Sequence, residues 1–336
     1  MTALPLSALD LASVSAGQTS ADALAGSIRV AQALDGAGFE RFWVAEHHNM
    51  VSVASTTPPV LIAALAARTE RIKIGSGGVM LPNHAPLVVA EQFALLEALH
   101  PGRIDLGIGR APGTDQVTAS ALRRSPDGLS VEDFPNHVLQ VMAWLGDNRL
   151  EGDPLVERLA ATPVGAGTPE VWLLGSSAYS AQLAGMLGLR YCYAHHFGGL
   201  NPTTVFEAYR SRFEPSPALA EPHAMICTSV ISAETEEEAE YLAGPARVMW
   251  LGIRSNAREP IVTPEEAQSR HLTQLDEMML SQMPATKFVG SHDDVVERVG
   301  DLVRACGVQE LMLTATTYDP QTKIDAFTEF QKRWQA

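Results

Sequence analysis

The chain has 336 residues, 46% of them hydrophobic and 19% charged, so it can bury a large core and is not globally disordered. Its formal charge of −15 argues against a nucleic-acid or anionic membrane partner, because both want a basic face. Apolar runs such as Val60–Ala67 fall far short of the roughly 20 residues of a membrane-spanning helix. Met1–Pro5 lacks the basic segment of a signal peptide, and Cys192, Cys227 and Cys306 are odd in number and have no metal-like spacing. Both features point to a cytoplasmic location with inert buried thiols.

In chain order, Leu6–Ser13 alternates apolar and small residues and predicts a strand. Ser20–Ala37 presents Leu24, Ile28, Ala31 and Leu34 on one face and predicts a helix, stopped at Asp35-Gly36-Ala37-Gly38. Phe42–Ala45 is the second strand, so the order opens β-α-β, which demands a parallel, right-handed crossover. Thr57-Pro58-Pro59 predicts a helix start with a capping hydroxyl, running to about Thr69. Ile72–Gly75 is a third strand, Pro86–His100 a third helix and Ile104–Gly109 a fourth strand, at a spacing of about 32 residues. Residues 111–133 break the alternation and are expected to be an insertion, followed by a helix at Phe134–Gly146.

After a loop at 148–168 come a fifth strand at Val171–Leu174, a helix opening at Gly175-Ser176-Ser177 and a sixth strand at Tyr191–Ala194. Asn201-Pro202 caps a sixth helix, Ala224–Ile231 is the seventh strand, and Thr235–Glu238 opens an acidic-ended helix that suits its dipole. Residues 250–290 are expected to be a second insertion, helical from Pro264 on. Ser291 caps a helix to Cys306, Glu310–Thr314 is the eighth strand and Asp319–Trp334 the last helix. Eight strands alternating with helices, in a chain longer than the ~250 residues of a bare barrel, predict an α/β fold: a (β/α)8 TIM barrel with insertions at the strand carboxyl ends. Residues 1–336 are expected to be one domain.

A barrel gathers its strand carboxyl ends on one face, and here they offer Glu46-His47-His48, Ser76-Gly77-Gly78, Gly109-Arg110, Gly175-Ser176-Ser177 and His195-His196. Alternation along an extended segment assigns His48 and His196 to packing and leaves His47 and His195 for the site. Gly175-Ser176-Ser177 at a helix N-terminus makes an anion site or a plain cap, and Arg110 either clamps the same anion or pairs with Asp115. Gly77-Gly78 invites either a β-bulge or an unusual peptide geometry. Four histidines raise a metal, but the carboxylate and thiolate partners of a metal site are missing nearby, so none is expected.

Together, Ala45–Asn49, Gly75–His84, Pro86-Leu87, Ala90-Glu91-Gln92, Pro101-Gly102-Arg103, Gly107–Gly113, Leu174–Ala181 and Glu310–Leu313 closely resemble the bacterial luciferase-like flavin monooxygenases, collinearly over nearly the whole chain. The resemblance implies a barrel, usually dimeric, that binds FMN at the strand carboxyl ends. It places the phosphate-binding arginine on Arg110, the phosphate turn on Gly175, Ser176, Ser177 and Tyr179, a cis peptide on Gly77-Gly78, further cofactor contacts on Ser76 and Gly109, and the catalytic histidine on His47. Where luciferase has a tryptophan beside the flavin this chain has His195, which argues against an aliphatic aldehyde substrate and light emission.

The implied activity is that of an FMN-dependent monooxygenase that uses reduced FMN and O2 to oxygenate a small organic substrate through a flavin hydroperoxide. The insertions would serve as lids that keep water out. No Gly-x-Gly-x-x-Gly turn for tight NAD(P)H binding is present, so a separate NAD(P)H:flavin reductase is expected to supply reduced FMN. The alternatives are an F420-dependent hydride-transfer oxidoreductase, a metal-dependent barrel hydrolase using His47, His84 and His195, and a non-catalytic flavin-binding protein.

Overall fold

A computed structural model of the chain describes residues 3–122, 133–165, 167–255, 259–282 and 287–336. Its first half comprises β1 (Leu6–Asp10), α1 (Ser20–Ala37), β2 (Arg41–Val44), α2 (Pro58–Ala66), β3 (Lys73–Ser76), β4 (Val79–Met80), α3 (Pro86–Leu99) and β5 (Ile104–Gly109). Next come α4 (Gln116–Leu122), α5 (Phe134–Trp144), α6 (Pro154–Arg158), β6 (Glu170–Gly175), α7 (Ala178–Met186), β7 (Arg190–Ala194), α8 (Pro202–Ser211) and β8 (Ala224–Ser229). β9 (Ile231–Ala233), α9 (Glu236–Ser255), α10 (Pro264–Ser269), α11 (Gln274–Ser281), β10 (Val289–Ser291), α12 (His292–Cys306), β11 (Glu310–Thr314) and α13 (Pro320–Trp334) complete it.

The strands pair in parallel in the order β3-β2-β1-β11-β8-β7-β6-β5-β4, and β3 also pairs with β5, which closes the sheet. β4 resumes the third strand beyond Gly77–Gly78, with Val79 opposite Ile108 and Met80 opposite Gly109. The result is the expected (β/α)8 barrel. Outward residues such as Phe42, Val44, Ile74, Leu106 and Leu313 pack under the helices, and inward residues Leu9, Trp43, Trp172, Cys192, Cys227 and Met312 fill the barrel.

Local chemistry sets the ends of the elements. Thr19 and Asp22 form a capping box on α1, and Gly38 closes that helix at φ 83°. Ser291 and Asn201 accept from the first turns of α12 and α8. Thr57 makes no such bond on α2. The second helical residue there is Pro59, which has no N–H, and the amide of Val60 is taken by the Thr57 carbonyl.

Two readings of the chain change in the structure. The predicted seventh strand divides at Val230: the amide of Val230 still bonds Thr314 of β11, but that of Ile231 bonds Phe288. β9 thereby leaves the barrel and pairs with β10. The loops at 111–133 and 148–168 carry the short helices α4 and α6. Residues 123–132 of the first insertion, and 256–258 and 283–286 of the second, lie outside the described residues.

The amino-terminal end of the barrel is plugged by charge. Arg41, 3% exposed, donates to Asp105 at 2.8 Å and to Glu310 at 2.8 and 3.2 Å, and its guanidinium lies over the Trp172 ring at 5.0 Å. Glu310 also bonds His223 at 2.8 Å, and the Trp43 indole donates to Asp105 at 2.8 Å. Breaking such a network leaves buried carboxylates without their cation, a loss of about 3–5 kcal/mol. Arg41→Ala is therefore expected to lower the thermal unfolding midpoint more than Arg71→Ala, whose side chain is 72% exposed. Equal midpoints for the two variants would contradict the plug.

Candidate active site

β2 supplies the site by alternation. Arg41, Trp43 and Ala45 face the barrel interior, so His47 continues the same series above it, and Glu46 and His48 fall on the other side. Glu46 is fully buried and accepts from the Met80 amide at 2.9 Å, Asn83 Nδ2 at 3.0 Å, His48 Nε2 at 3.0 Å and His84 Nε2 at 3.0 Å. Burial pushes its carboxyl up, but the bonds from His84, Asn83 and His48 outweigh that and hold it below the ordinary range. Asn83 donates as well to the Pro112 carbonyl at 3.0 Å, and the His48 amide bonds Gly113 at 3.1 Å. One carboxylate thus ties together the segments that follow β2, β4 and β5.

The floor of the mouth is backbone. The Gly77–Gly78 peptide is cis, and a Cβ on Gly107 would lie 2.0 Å from the Ser76 carbonyl oxygen, so β3 and β5 meet there without side chains. The Ser76 hydroxyl donates to the Gly107 carbonyl at 2.9 Å and accepts from the Gly107 amide at 3.0 Å. Its side chain is committed within the wall, which leaves its backbone for any ligand. A Cβ on Gly109 would meet Met80 Sδ at 2.8 Å.

Three imidazoles surround the mouth. His47 is held neutral by burial, against the pull of Glu46, and its Nδ1 is buried without a partner among the described residues. His195 is 5% exposed, bonds Thr228 Oγ1 through Nδ1 at 3.0 Å, and packs near Phe288 and Tyr193. Burial, with Lys287 nearby, pushes it down to about 4. The ladder of β7 and β8 ends at Ala194: the His195 amide turns back to the Tyr193 carbonyl at 3.0 Å, and the Cys227 carbonyl is taken by the His196 amide at 3.2 Å, one residue out of register. His196 comes close to His47 there, and burial with the neighbouring His195 and His47 pushes it down to about 4. Alternation from sequence assigns His196 to packing and His195 to the site; the structure packs His195 on Thr228, Tyr193 and Phe288 and brings His196 near His47, and the missing signal is the turn that interrupts the ladder after Ala194.

The opposite side of the mouth is cationic. Arg110 makes no ion pair among the described residues, and its guanidinium stacks on the Tyr179 ring at 4.3 Å. Asp115 accepts from Asn49 and Thr118. Tyr179 lies in the first turn of α7, whose cap is Ser177 and whose free amides face the same direction as the helix dipole. Gly175 is required there, since a Cβ would fall 2.2 Å from Ser180 Oγ. The end of β5 and the start of α7 thus bring Arg110, Tyr179, Ser176 and Ser177 together, as an anion site requires. By contrast His47, His84 and His195 form no shared ligand set: His84 is bound to Glu46, and no group of three His, Cys, Asp or Glu side chains among the described residues is arranged to hold a metal ion.

Because the folded Glu46 value is depressed, its stabilisation is full above the ordinary carboxylate range and is lost as pH falls through the folded value. Glu46→Gln is expected to cost about 1–3 kcal/mol at neutral pH. The gap in unfolding midpoint between the variant and wild type should narrow as pH drops below about 4.5. A gap that widens in acid would contradict the assignment.

The sequence model of the luciferase-like monooxygenase family matches residues 6–310. A luciferase-like monooxygenase of Escherichia coli K12 is 38% identical over 327 residues, which is 96% of this chain and 95% of that protein. Among solved structures, apo-MsnO8 superposes with a TM-score of 0.89 at 33% identity, covering 99% of this chain and 98% of its own. The oxygenating constituent of 3,6-diketocamphane monooxygenase from Pseudomonas putida, a type II Baeyer–Villiger monooxygenase in complex with FMN, shares the fold with a TM-score of 0.72 at 21% identity over 98% of each chain. No helix among the described residues is long and apolar enough to cross a membrane. With a family match over most of its length and a near full-length relative above 30% identity, the chain belongs to the luciferase-like monooxygenases.

Proposed function

We propose that this chain is the oxygenating component of a two-component FMN monooxygenase, which takes reduced FMN from a separate NAD(P)H:flavin reductase and uses O2 to oxygenate a small organic substrate. The observation that carries the proposal is Arg110, a guanidinium without a carboxylate partner among the described residues of a chain of charge −15, stacked on Tyr179 beside the N-terminus of α7. That arrangement fits a phosphate monoester, with Arg110, Gly175, Ser176, Ser177 and Tyr179 as its holders. Gly77–Gly78, Ser76 and Gly109 would then offer bare backbone to the flavin ring, with His195 at its edge. The FMN complex of the Pseudomonas structure supports the same reading, as does its description as an oxygenating constituent.

Reduced flavin supplies the electrons that activate O2 when it is bound. The chain's own residues supply a dry pocket and a proton. His47 is neutral because it is buried, and with Nδ1 enclosed, Nε2 is the ring nitrogen left to hold or release a proton toward a bound reactant. The clamp on Glu46 orients the segment that carries it. Val88, Leu95 and Leu99, exposed by 45–59% along α3, support a homodimer, and three free buried cysteines support a cytoplasmic location.

Riboflavin, which lacks the phosphate, is the test ligand. Arg110→Ala is expected to weaken FMN binding about 10–100-fold, the worth of a charge-assisted contact, and to leave riboflavin within about 2-fold of wild type. Equal weakening of both, or of neither, would remove the phosphate assignment. F420 titrated in parallel reads the rival cofactor: binding of F420 without FMN would move the assignment to hydride transfer.

A further inference from the structure

The imidazoles of the mouth differ in what their free nitrogen can do. His48 and His84 both direct Nε2 to Glu46 and are spent on the clamp. The partner of His195 is the Thr228 hydroxyl, which donates or accepts, so either ring nitrogen can carry the proton. His47 has no partner on Nδ1 among the described residues, so its tautomer is unconstrained as well. His196 stands apart. Its Nδ1 faces the Cys227 carbonyl at 3.3 Å, the same oxygen that accepts from its amide at 3.2 Å. A carbonyl can only accept, so Nδ1 must carry the hydrogen. Nε2 is then a lone pair, and the bond through Nδ1 is the side-chain hydrogen bond that His196 makes among the described residues.

We infer that His196 is a specificity-determining residue of the mouth, its Nε2 accepting a hydrogen bond from a hydroxyl group of the substrate. The inference rests on the mouth being the oxygenation site, and it names the chemical class that site selects. Burial keeps the ring uncharged through the neutral range, so the acceptor does not become a donor under working conditions. A carbonyl or ether oxygen placed there would meet lone pair against lone pair, and an alkyl group would bury the acceptor unpaired. A hydroxyl satisfies it. The surroundings also suit a flat ring: Phe197, 53% exposed, stands edge-on to His196 with centroids 4.6 Å apart.

The matched probes are 2-naphthol and 2-methoxynaphthalene, titrated calorimetrically against the flavin-free and the FMN-saturated protein. Wild type is expected to bind 2-naphthol about 10-fold more tightly than the methyl ether in at least one form, as a site built to pair a hydroxyl does. His196→Phe should abolish the preference by weakening 2-naphthol while leaving the methyl ether within about 2-fold, and His196→Gln, which keeps an acceptor oxygen, should restore part of it. Equal binding of the two probes to wild type, binding of neither to either form, or a preference that survives in folded His196→Phe would overturn the inference. The wild-type comparison and His196→Gln decide the matter if His196→Phe fails to fold. The two proposals fail separately: absence of FMN binding with an intact hydroxyl preference removes the oxygenase reading alone, and FMN binding without a preference removes the role of His196 alone.

Discussion

A buried carboxylate must be surrounded by donors, and at the end of β2 that requirement falls on Glu46. Its four donors come from Met80, Asn83, His84 and its own near neighbour His48. Satisfying them fixes the entry to the segment after β4, and through Asn83 and His48 the turn at Pro112-Gly113 that follows Arg110. The charge therefore positions loops that are also joined directly, by Asn49 to Asp115 and Thr118 and by Thr114 to the His48 carbonyl. Partial satisfaction would be costly, since an unpaired charge in this environment is destabilising by several kcal/mol. The cluster stands complete or it does not stand.

β2 also shows how the interior is graded along the barrel axis. Arg41 anchors the closed end among Asp105 and Glu310, Trp43 fills the middle against Trp172, and His47 sits above Ala45 at the mouth. The inward positions of one strand thus pass from charge neutralisation through packing to a buried, neutral imidazole. The glycines of β3 and β5 let two backbones approach where side chains would collide. On the far side Arg110, stacked on Tyr179 and without an ion pair among the described residues, stands beside the start of α7. A ligand with an anionic tail and a flat polar ring suits both ends.

Much of this was legible in the chain. The 3.6-residue pattern of Ser20–Ala37, the compact apolar run of Ile104–Gly109 and the capping signals at Asn201 and Ser291 are local features, and local features survive folding. The division of the seventh strand at Val230 was not legible, because it depends on which segment takes the next hydrogen bond, and that partner lies about Phe288. The silent hydroxyl of Thr57 follows from Pro59 removing the amide it would have capped. In the site, Arg110 and the Gly175–Ser177 turn were readable as neighbours once strand order was assumed. The clamp on Glu46 was hidden, since its donors sit more than thirty residues away in sequence apart from His48. The placing of His196 was hidden for a related reason: alternation holds only where a ladder continues, and only the structure shows the turn at residues 195–197 that ends it.

The most direct measurement is rapid mixing of the protein, saturated anaerobically with photoreduced FMN, against oxygenated buffer, followed through the return of oxidised-flavin absorbance. A site that binds reduced FMN and shields it should delay that return relative to free reduced FMN. Loss of the delay in Arg110→Ala at the same FMN concentration would tie it to the phosphate end of the mouth. Failure of reduced FMN to bind, or reoxidation as fast as that of free flavin, would contradict the assignment of this chain as an FMN-dependent oxygenase.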